Sequence, residues 1–349
     1  MLKFTMRVAV AAILLAGPAA ASDEVAMPGE PLDTAFEVGS MPDEPLDNLP
    51  EGTRLISHFG ERAVFSPDSK KIAFIGKSYG DVFEYDIASG AVRNLTNHMP
   101  HGGLLRVHYM HDGSLILTGP VAMGQDRMET RFKQAELWWL DAAASRGIER
   151  LGQFLFEGVA VSPVSNRIAW VYNDPPGYEM SDGARGILRT AEVVKRDGRT
   201  RLENVRDLLV MPRDQCVLEV QDFLPDGSAV TTVCYGGNAL IVPMSGEGVT
   251  EIPMPGGFDS ELEGILPDGK RSLFECGAHG KGGEICLLEL KKDNPRYTRI
   301  TRVTDYGDYS FSNPQVSRDG SMIAFQFAKG GDEPGVGRGI LLMDMPEGM

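Results

Sequence analysis

After its first 21 residues the chain contains no apolar run long enough to span a bilayer. It has only six histidines, four cysteines and three tryptophans in 349 residues, and it has no cluster of lysine or arginine. Its formal charge is −15 at pH 7, and an acidic chain of this kind binds nucleic acid or anionic lipid poorly. We therefore expect no nucleic-acid partner and no membrane span after signal removal. Cationic partners, metal ions or neutral ligands are favoured.

The amino terminus has the pattern of a secretory signal, predicted to end at residue 21. Lys3 and Arg7 form its basic start, residues 8–16 form a short apolar core, and residues 19–21 are small. We predict cleavage after Ala21, which removes two positive charges and leaves −17 on the mature chain. The mature protein is then expected to be soluble, in the periplasm or outside the cell. A retained membrane anchor is the alternative.

Residues 22–50 contain no lysine or arginine, several acidic residues and frequent proline. This composition cannot bury enough apolar surface to offset the entropy of ordering, so it predicts a disordered tether. The segment carries a near-duplicate, Met27–Asp33 and Met41–Asp47. A spacer that grew by duplication is favoured over a docking peptide presented twice.

Residues 51–349 contain one short pattern six times, at intervals of roughly fifty residues. Each copy has a tight turn, in four cases Asp-Gly, followed by an apolar strand. The copies begin near Ser66, His111, Ser162, Pro225, Pro267 and Arg318. Glycine tolerates positive φ and aspartate caps the turn, so each copy indicates a β-hairpin. The spacing predicts an all-β, six-bladed β-propeller with four-stranded blades; a sandwich with similar hairpins is the alternative.

The two ends of the repeat region are complementary. Residues 53–56 resemble the outer strand of a blade that lacks its first three strands, whereas residues 314–345 supply three strands and no fourth. Pairing the two segments would close the ring and remove two exposed sheet edges. We therefore predict closure by the amino-terminal strand.

The segment Ser66-Pro-Asp-Ser-Lys-Lys-Ile-Ala-Phe74 resembles the WD40-like (PD40) repeat of the TolB family, whose motif reads roughly Ser-Pro-Asp-Gly-x-x-Ile-Ala-Phe. The resemblance covers about residues 52–345 and implies a propeller that binds a partner. The chain is expected to lack the α/β domain that precedes the propeller in TolB. In the third copy Val164 stands where the motif has aspartate, so this turn is expected to be built differently.

The four cysteines fall into two pairs on the predicted blades. Cys216 and Cys234 lie on adjacent antiparallel strands of blade four, and Cys276 and Cys286 flank a loop of blade five. Export favours oxidation, so we predict two disulfides. A zinc site is disfavoured because no Cys-x-x-Cys pair is present and the two pairs lie in different blades.

The inner strands carry a recurring acidic position. Glu61, Glu157, Glu219 and Glu261 occupy it in four copies, and Leu105 and Ser312 in the others. These carboxylates are predicted to form a partial ring at one mouth of the channel, beside Arg62 and Arg106. Such a ring would favour a cation or a basic peptide, or would raise pKa values. The alternative is that the glutamates are solvated and balance the charge of the nearby arginines.

Histidines offer a second kind of site at the same mouth. His98, His101 and His279 lie on loops of one face and could hold a metal ion; ordinary polar loop residues are the favoured alternative. His108 and His111 are expected to stand about 10 Å apart, so His98, His101, His108 and His111 cannot all share one ion. Propellers of similar architecture include sugar-acid lyases that hold manganese and calcium-dependent lactonases. That resemblance implies manganese or calcium at the mouth, with Glu157 or Glu261 as base.

Two functional classes follow from these patterns. The favoured one is a monomeric binding propeller that captures a protein, peptide or glycan at its acidic mouth, because no catalytic set is assembled. A nucleophile-elbow match at residues 76–80 lies in a predicted hairpin loop rather than a strand-to-helix turn, so it is attributed to chance. The alternative is a metal-dependent lyase or hydrolase at the same mouth.

Overall fold

The computed structural model describes residues 38–177, 182–235, 237–254, 261–277, 282–333 and 335–347. These residues form six four-stranded antiparallel sheets. Each inner strand contacts the inner strand of the next blade, and the last contacts the first, so the predicted six-bladed β-propeller is confirmed. The predicted signal lies outside the described residues.

Each blade takes its strands in chain order from the axis outwards. Strand β1 (Thr53–Ser57) comes first in the chain. Blade 1 contains β2 (Glu61–Phe65), β3 (Lys71–Ile75), β4 (Val82–Asp86) and β5 (Val92–Asn94). Blade 2 contains β6 (Arg106–Tyr109), β7 (Leu115–Pro120), β8 (Ala135–Leu140) and β9 (Glu149–Phe154). Blade 3 contains β10 (Phe156–Val161), β11 (Arg167–Asp174), β12 (Arg185–Arg196) and β13 (Arg199–Pro212).

The second half of the ring repeats this arrangement. Blade 4 contains β14 (Leu218–Phe223), β15 (Ala229–Cys234), β16 (Ala239–Pro243) and β17 (Thr250–Ile252). Blade 5 contains β18 (Leu262–Ile265), β19 (Arg271–Cys276), β20 (Glu284–Glu289) and β21 (Tyr297–Arg299). Blade 6 contains β22 (Tyr309–Val316), β23 (Met322–Lys329) and β24 (Gly339–Asp344), with β1 as its outer strand.

Helices are short and lie between strands. An α-helical turn, α1 (Arg127–Glu129), continues into a π-helical turn (Thr130–Gln134) in the loop between β7 and β8. Short 3-10 helices occupy Pro45–Asp47 and Val303–Tyr306. None of the helices in the described part of the chain has the length and apolar character needed to cross a bilayer.

The predicted closure is confirmed by the pairing of β1 with β24. The two strands are antiparallel, with Thr53 opposite Met343 and Leu55 opposite Leu341. Residues 38–50, the end of the predicted tether, pack onto the closed ring. The Tyr309 hydroxyl donates to Glu44 Oε2 at 2.9 Å, and Leu46 and Leu49 contact the apolar cluster between blades 5 and 6. This described part of the segment is therefore held against the propeller.

Buried apolar side chains fill all six interfaces between neighbouring blades. Trp170 and Phe74 are among the largest fully buried side chains. Each four-stranded blade thus buries both faces against its neighbours. The hydrophobic core is a ring of six clusters around a polar channel.

The repeated turns between the first two strands of each blade are stabilised by aspartate. The carboxylates of Asp112, Asp226 and Asp319 each accept a hydrogen bond from the backbone N–H two residues later, at 2.9–3.0 Å. In the third copy the Ser162 hydroxyl accepts the N–H of Val164 at 3.4 Å, so this turn is built differently, as predicted. We call the channel end at these turns the turn side, and the end where the inner strands begin the loop side.

Both predicted cysteine pairs are disulfides. Cys216–Cys234 joins the segment before β14 to the end of β15, with a Cα–Cα distance of 5.0 Å. Cys276–Cys286 joins β19 to β20 at 5.9 Å. All four cysteines are therefore used in bridges within blades.

Candidate functional site at the loop-side mouth

Five of the six inner strands contain a β-bulge. The register of pairing shifts within β2, β10, β14, β18 and β22, whereas β6 pairs regularly. At three bulges a residue other than glycine adopts left-handed backbone: Arg62 (φ 56°), Glu157 (φ 64°) and Asn313 (φ 50°). Bulges redirect side chains and are frequent beside functional sites. The predicted acidic position therefore does not have one geometry in all blades.

Arg106 connects two of the predicted carboxylates. Its Nη2 lies 3.2 Å from Glu219 Oε1 and 3.6 Å from Glu157 Oε2. Glu157 also accepts a hydrogen bond from Nε of Arg131 at 2.8 Å. The side chains of Glu157 and Glu219 are only 4% and 2% exposed. These carboxylates are buried and paired, so they are not open to a new cation.

A second ion pair lies beside the first. Arg62 Nη1 is 3.1 Å from Glu61 Oε1, which also accepts the Ser78 hydroxyl at 2.7 Å. The charge of Arg62 acts on Arg106 and Glu157, and burial lowers the pKa of its guanidinium. The structure thus brings Glu61, Arg62, Arg106, Glu157, Glu219 and Glu261 into one electrostatic cluster.

The cluster contains residues that the sequence pattern missed. Glu263 on β18 and Glu275 on β19 interact electrostatically with Glu261. The Tyr235 hydroxyl donates a hydrogen bond to Glu219, and Asn313 donates its backbone N–H to Glu275 at 2.7 Å. Glu275 lies on a second strand rather than an inner one, so a comparison of inner strands could not find it.

Burial, followed by repulsion between the acids, disfavours their charged forms. Burial raises the pKa of Glu219 and of Glu263 well above the ordinary value of a glutamate carboxyl. It raises the pKa of Glu261 to about 7, with the charge of Glu275 as the next cause. Burial also raises the pKa of Glu275. Of these carboxyls, Glu261 takes up a proton near neutral pH.

Glu261 differs from the other predicted carboxylates in having no partner. Its side chain makes no hydrogen bond or ion pair with any residue that the structure describes, and it is partly exposed. It stands directly before β18, at the open end of the channel. Among the carboxylates of this cluster, Glu261 is the one that is both partly exposed and without a side-chain partner in the described residues.

Loops of three blades contact each other around the mouth. Asp126 caps α1 by accepting the N–H of Glu129 at 2.8 Å, and the turn that follows carries Arg131 to Glu157. The Tyr79 hydroxyl donates to the backbone carbonyl of Arg127 at 2.5 Å, and Arg127 forms an ion pair with Glu333. Blades 1, 2 and 6 are linked in this way.

The channel below the mouth is narrow. A cavity of about 30 Å³ lies there, lined by residues that include Arg62, Arg106 and Glu263. That volume is about the share of one water molecule in the liquid. A ligand of the loop side therefore stays at the mouth and does not enter the channel.

The predicted histidine set does not come together in the described residues. His101 is engaged at both ring nitrogens: Nε2 lies 2.9 Å from Asp81 Oδ1, and Nδ1 accepts the N–H of Gly103 at 3.0 Å. His98 is exposed and contacts Asn97. His279 lies outside the described residues, among which no group of three potential metal ligands occurs. The part of the chain that the structure describes therefore does not fit a histidine-bound metal.

These features define the chain as a six-bladed β-propeller with a buried Arg–Glu cluster at its loop-side mouth. No family model matches the chain, and no curated protein is detectably similar to it in sequence. Solved propellers are similar in structure, at identities that show the fold alone.

A protein assigned as TolB from Agrobacterium tumefaciens is 13% identical with a TM-score of 0.50, over 83% of this chain and 91% of that one. Regucalcin, a calcium-binding protein from the same organism, is 14% identical with a TM-score of 0.51, over 83% and 93%. Oligogalacturonate lyase from Vibrio parahaemolyticus is 13% identical with a TM-score of 0.50, over 82% and 79%. The chain spans 62% of the length of TolB from Acinetobacter baumannii. Both binding proteins and enzymes thus share this fold.

Proposed function

We propose that the chain is an exported, monomeric binding propeller that captures a protein, peptide or glycan ligand at its loop-side mouth. Among these ligands, a peptide with a basic side chain suits the mouth best. The observation that carries the proposal is Glu261, a partly exposed carboxylate without a described partner beside carboxylates that are already paired. The two disulfides support export, since such bridges persist in oxidising compartments.

A ligand cation would complete the charge balance of this cluster. Arg106 and Arg131 are committed to Glu157 and Glu219, which leaves Glu261 and Glu263 without a cation in contact. A lysine or arginine side chain at Glu261 would favour the charged carboxylate and lower its pKa from about 7. Charge-assisted hydrogen bonds of this kind are roughly twice as strong as neutral ones.

A selection from a random peptide library tests the proposal directly. The mature protein and its Glu261→Gln variant are immobilised in parallel and the bound peptides are sequenced. We expect lysine and arginine to be enriched at one position with the wild-type protein, and this enrichment to disappear with the variant. Affinities of single selected peptides should fall at least about tenfold, the loss of one charge-assisted contact.

The matched control is Glu247→Gln, which removes an exposed carboxylate on the turn side of blade 4. It should bind the selected peptides as the wild-type protein does. Peptides without basic residues, or equal binding by Glu261→Gln, would contradict the proposal. Thermal unfolding of each variant shows whether a loss of binding reflects a loss of fold.

An enzyme of the lyase or lactonase type at the same mouth is the second candidate. The observation that favours it is the pKa of Glu261, about 7, since a general base works best near the ambient pH. The enzyme hypothesis predicts that the protein turns over sugar lactones or oligogalacturonate and that Glu261→Gln abolishes this turnover. Turnover unaffected by this variant would place the activity elsewhere.

A further inference from the structure

The turn-side end of the channel contains a second, larger cavity. Its volume is about 190 Å³, and all six blades contribute to its lining. The lining combines polar groups with apolar side chains, which include Val64, Phe65, Ala160, Pro163, Pro225 and Pro267. This volume lies between the ~150 Å³ of a cavity that takes up benzene and the ~300 Å³ at which sites for drug-sized ligands begin. It suits a ligand the size of one aromatic ring with a substituent.

Several polar side chains line this cavity without a protein partner. His108, Gln221, Gln315 and Arg318 make no side-chain hydrogen bond or ion pair with any described residue. The amide nitrogen Nε2 of Gln221 is buried and unsatisfied. Buried polar groups are normally paired. The buried amide nitrogen of Gln221 is therefore the donor of this cavity that a ligand would satisfy.

Two lining residues are departures from the sixfold repeat. Arg318 takes the position that proline holds in four other copies, and Val164 takes the position of the turn aspartate. The turns of the other copies form without arginine or valine at these two positions, so the turn itself does not require Arg318 or Val164. Both side chains are exposed at the rim of the cavity. Together they add one positive charge to the rim and remove one carboxylate from it.

The electrostatics of the cavity depend on Arg318. Asp222 is the lining carboxylate; its oxygens accept the backbone N–H groups of Phe223 at 2.8 Å and Ile265 at 3.4 Å. Burial raises the pKa of Asp222 to about 6 and lowers that of His108 to about 3. Below about pH 6 Arg318 is the charged group among the described lining residues. Its guanidinium is then the positive group of the lining, whereas the turn carboxylates of Asp68, Asp112, Asp226, Asp268 and Asp319 lie around the rim.

We propose that this turn-side cavity binds a small carboxylic acid with an apolar body. The carboxylate pairs with the guanidinium of Arg318 and accepts a hydrogen bond from Gln221. The apolar body lies between the proline-lined walls. The cavity lies at the opposite end of the channel from Glu261, so this proposal does not depend on the loop-side mouth.

Benzoate is the probe, and its neutral isostere benzamide is the control ligand. Each is titrated into the mature protein at about pH 5, and binding is followed by calorimetry and by shifts of amide resonances near the turns. We expect benzoate to bind and benzamide to bind at least about tenfold more weakly, because the charge-assisted contact is lost.

Three variants locate the site. Arg318→Gln should weaken benzoate binding at least about tenfold, and Val164→Asp should weaken it by returning a carboxylate to the rim. Arg54→Gln is the matched control, since Arg54 is an exposed arginine on β1 that makes no ion pair with a described residue. It should leave binding unchanged, as should Glu261→Gln at the other mouth.

The proposal is overturned if benzoate does not bind, if benzamide binds equally well, or if Arg318→Gln binds benzoate like the wild-type protein. Arg318 is exposed and unpaired, so its replacement should not impair folding. A tripeptide ending in phenylalanine, with a free or an amidated carboxyl group, identifies the source of the ligand. Binding of the free form alone would indicate a peptide carboxy terminus. If neither form binds while benzoate does, the ligand is a free small acid.

Discussion

At the scale of single residues, the loop-side cluster combines three arginines with six glutamates, and their roles differ. Arg106 contacts Glu157 and Glu219, and Glu157 is also paired with Arg131, so removal of Arg106 would leave buried Glu219 without a cation among the described residues. Glu261 is partly exposed, so water can solvate its carboxylate without a cation from the protein. Neighbouring acids of the cluster therefore differ in pairing and in exposure.

The raised pKa of Glu261 leads to a prediction about stability and pH. Its pKa is about 7 in the folded protein against an ordinary value of 4.5, so the folded state binds the proton more tightly. This contribution to stability is present below about pH 4.5 and is lost as the pH rises through 7. Its full size is as much as about 3 kcal/mol.

Urea unfolding of the wild-type protein and of Glu261→Gln between about pH 4.5 and pH 8 measures this effect. The variant cannot titrate at this position, so we expect its free energy of unfolding to fall less over that range. Glu247→Gln should follow the wild-type curve. Equal slopes for all three proteins would show that Glu261 has the same pKa in both states.

At the scale of elements, hairpins were more predictable than the cluster they support. The Asp-Gly pairs specify tight turns through local chemistry, so the blades and both cysteine pairs could be found from the sequence. The bulge at Arg62 and the helical turn that carries Arg131 have no such local signal. They arise from packing between blades, which is why the pairing of Glu157 with Arg131 was not foreseen.

The disulfides permit a prediction about individual blades. Cys216–Cys234 closes 18 residues and Cys276–Cys286 closes 10, so the first restricts the unfolded chain slightly more. Replacing the first pair by alanine should lower the free energy of unfolding by about 3 kcal/mol, and replacing the second by slightly less.

Denaturant unfolding of both double variants measures the two losses. Alkylation of the unreduced protein provides the companion test, and it should modify none of the four cysteines. A labelled thiol would show that the corresponding bridge does not form in the exported protein.

At the scale of the whole molecule, the ring depends on the pairing of β1 with β24. Arg54 has an exposed side chain in the middle of β1, so substitutions there test the backbone with little change in packing. Arg54→Pro removes a donor and constrains φ within the strand. We expect it to lower the unfolding temperature and to promote association through the freed edge of β24.

Thermal unfolding and light scattering check this expectation, with Arg54→Gln as the control that retains the backbone donor. The glutamine variant should match the wild-type protein in both measurements. If the proline variant does so as well, closure by β1 does not contribute to the stability of the ring.

This closure also has a consequence for the order of folding. β1 leaves the ribosome first, and its partner β24 is made last. Blades 1 to 5 are each built from consecutive strands, so they can form from local contacts while synthesis continues. The outer strand of blade 6 cannot pair in this way, because Leu55 on β1 lies opposite Leu341 on β24, which is synthesised much later. Pairing of β1 with β24 therefore cannot precede the synthesis of β24, and β1 lacks this partner until then.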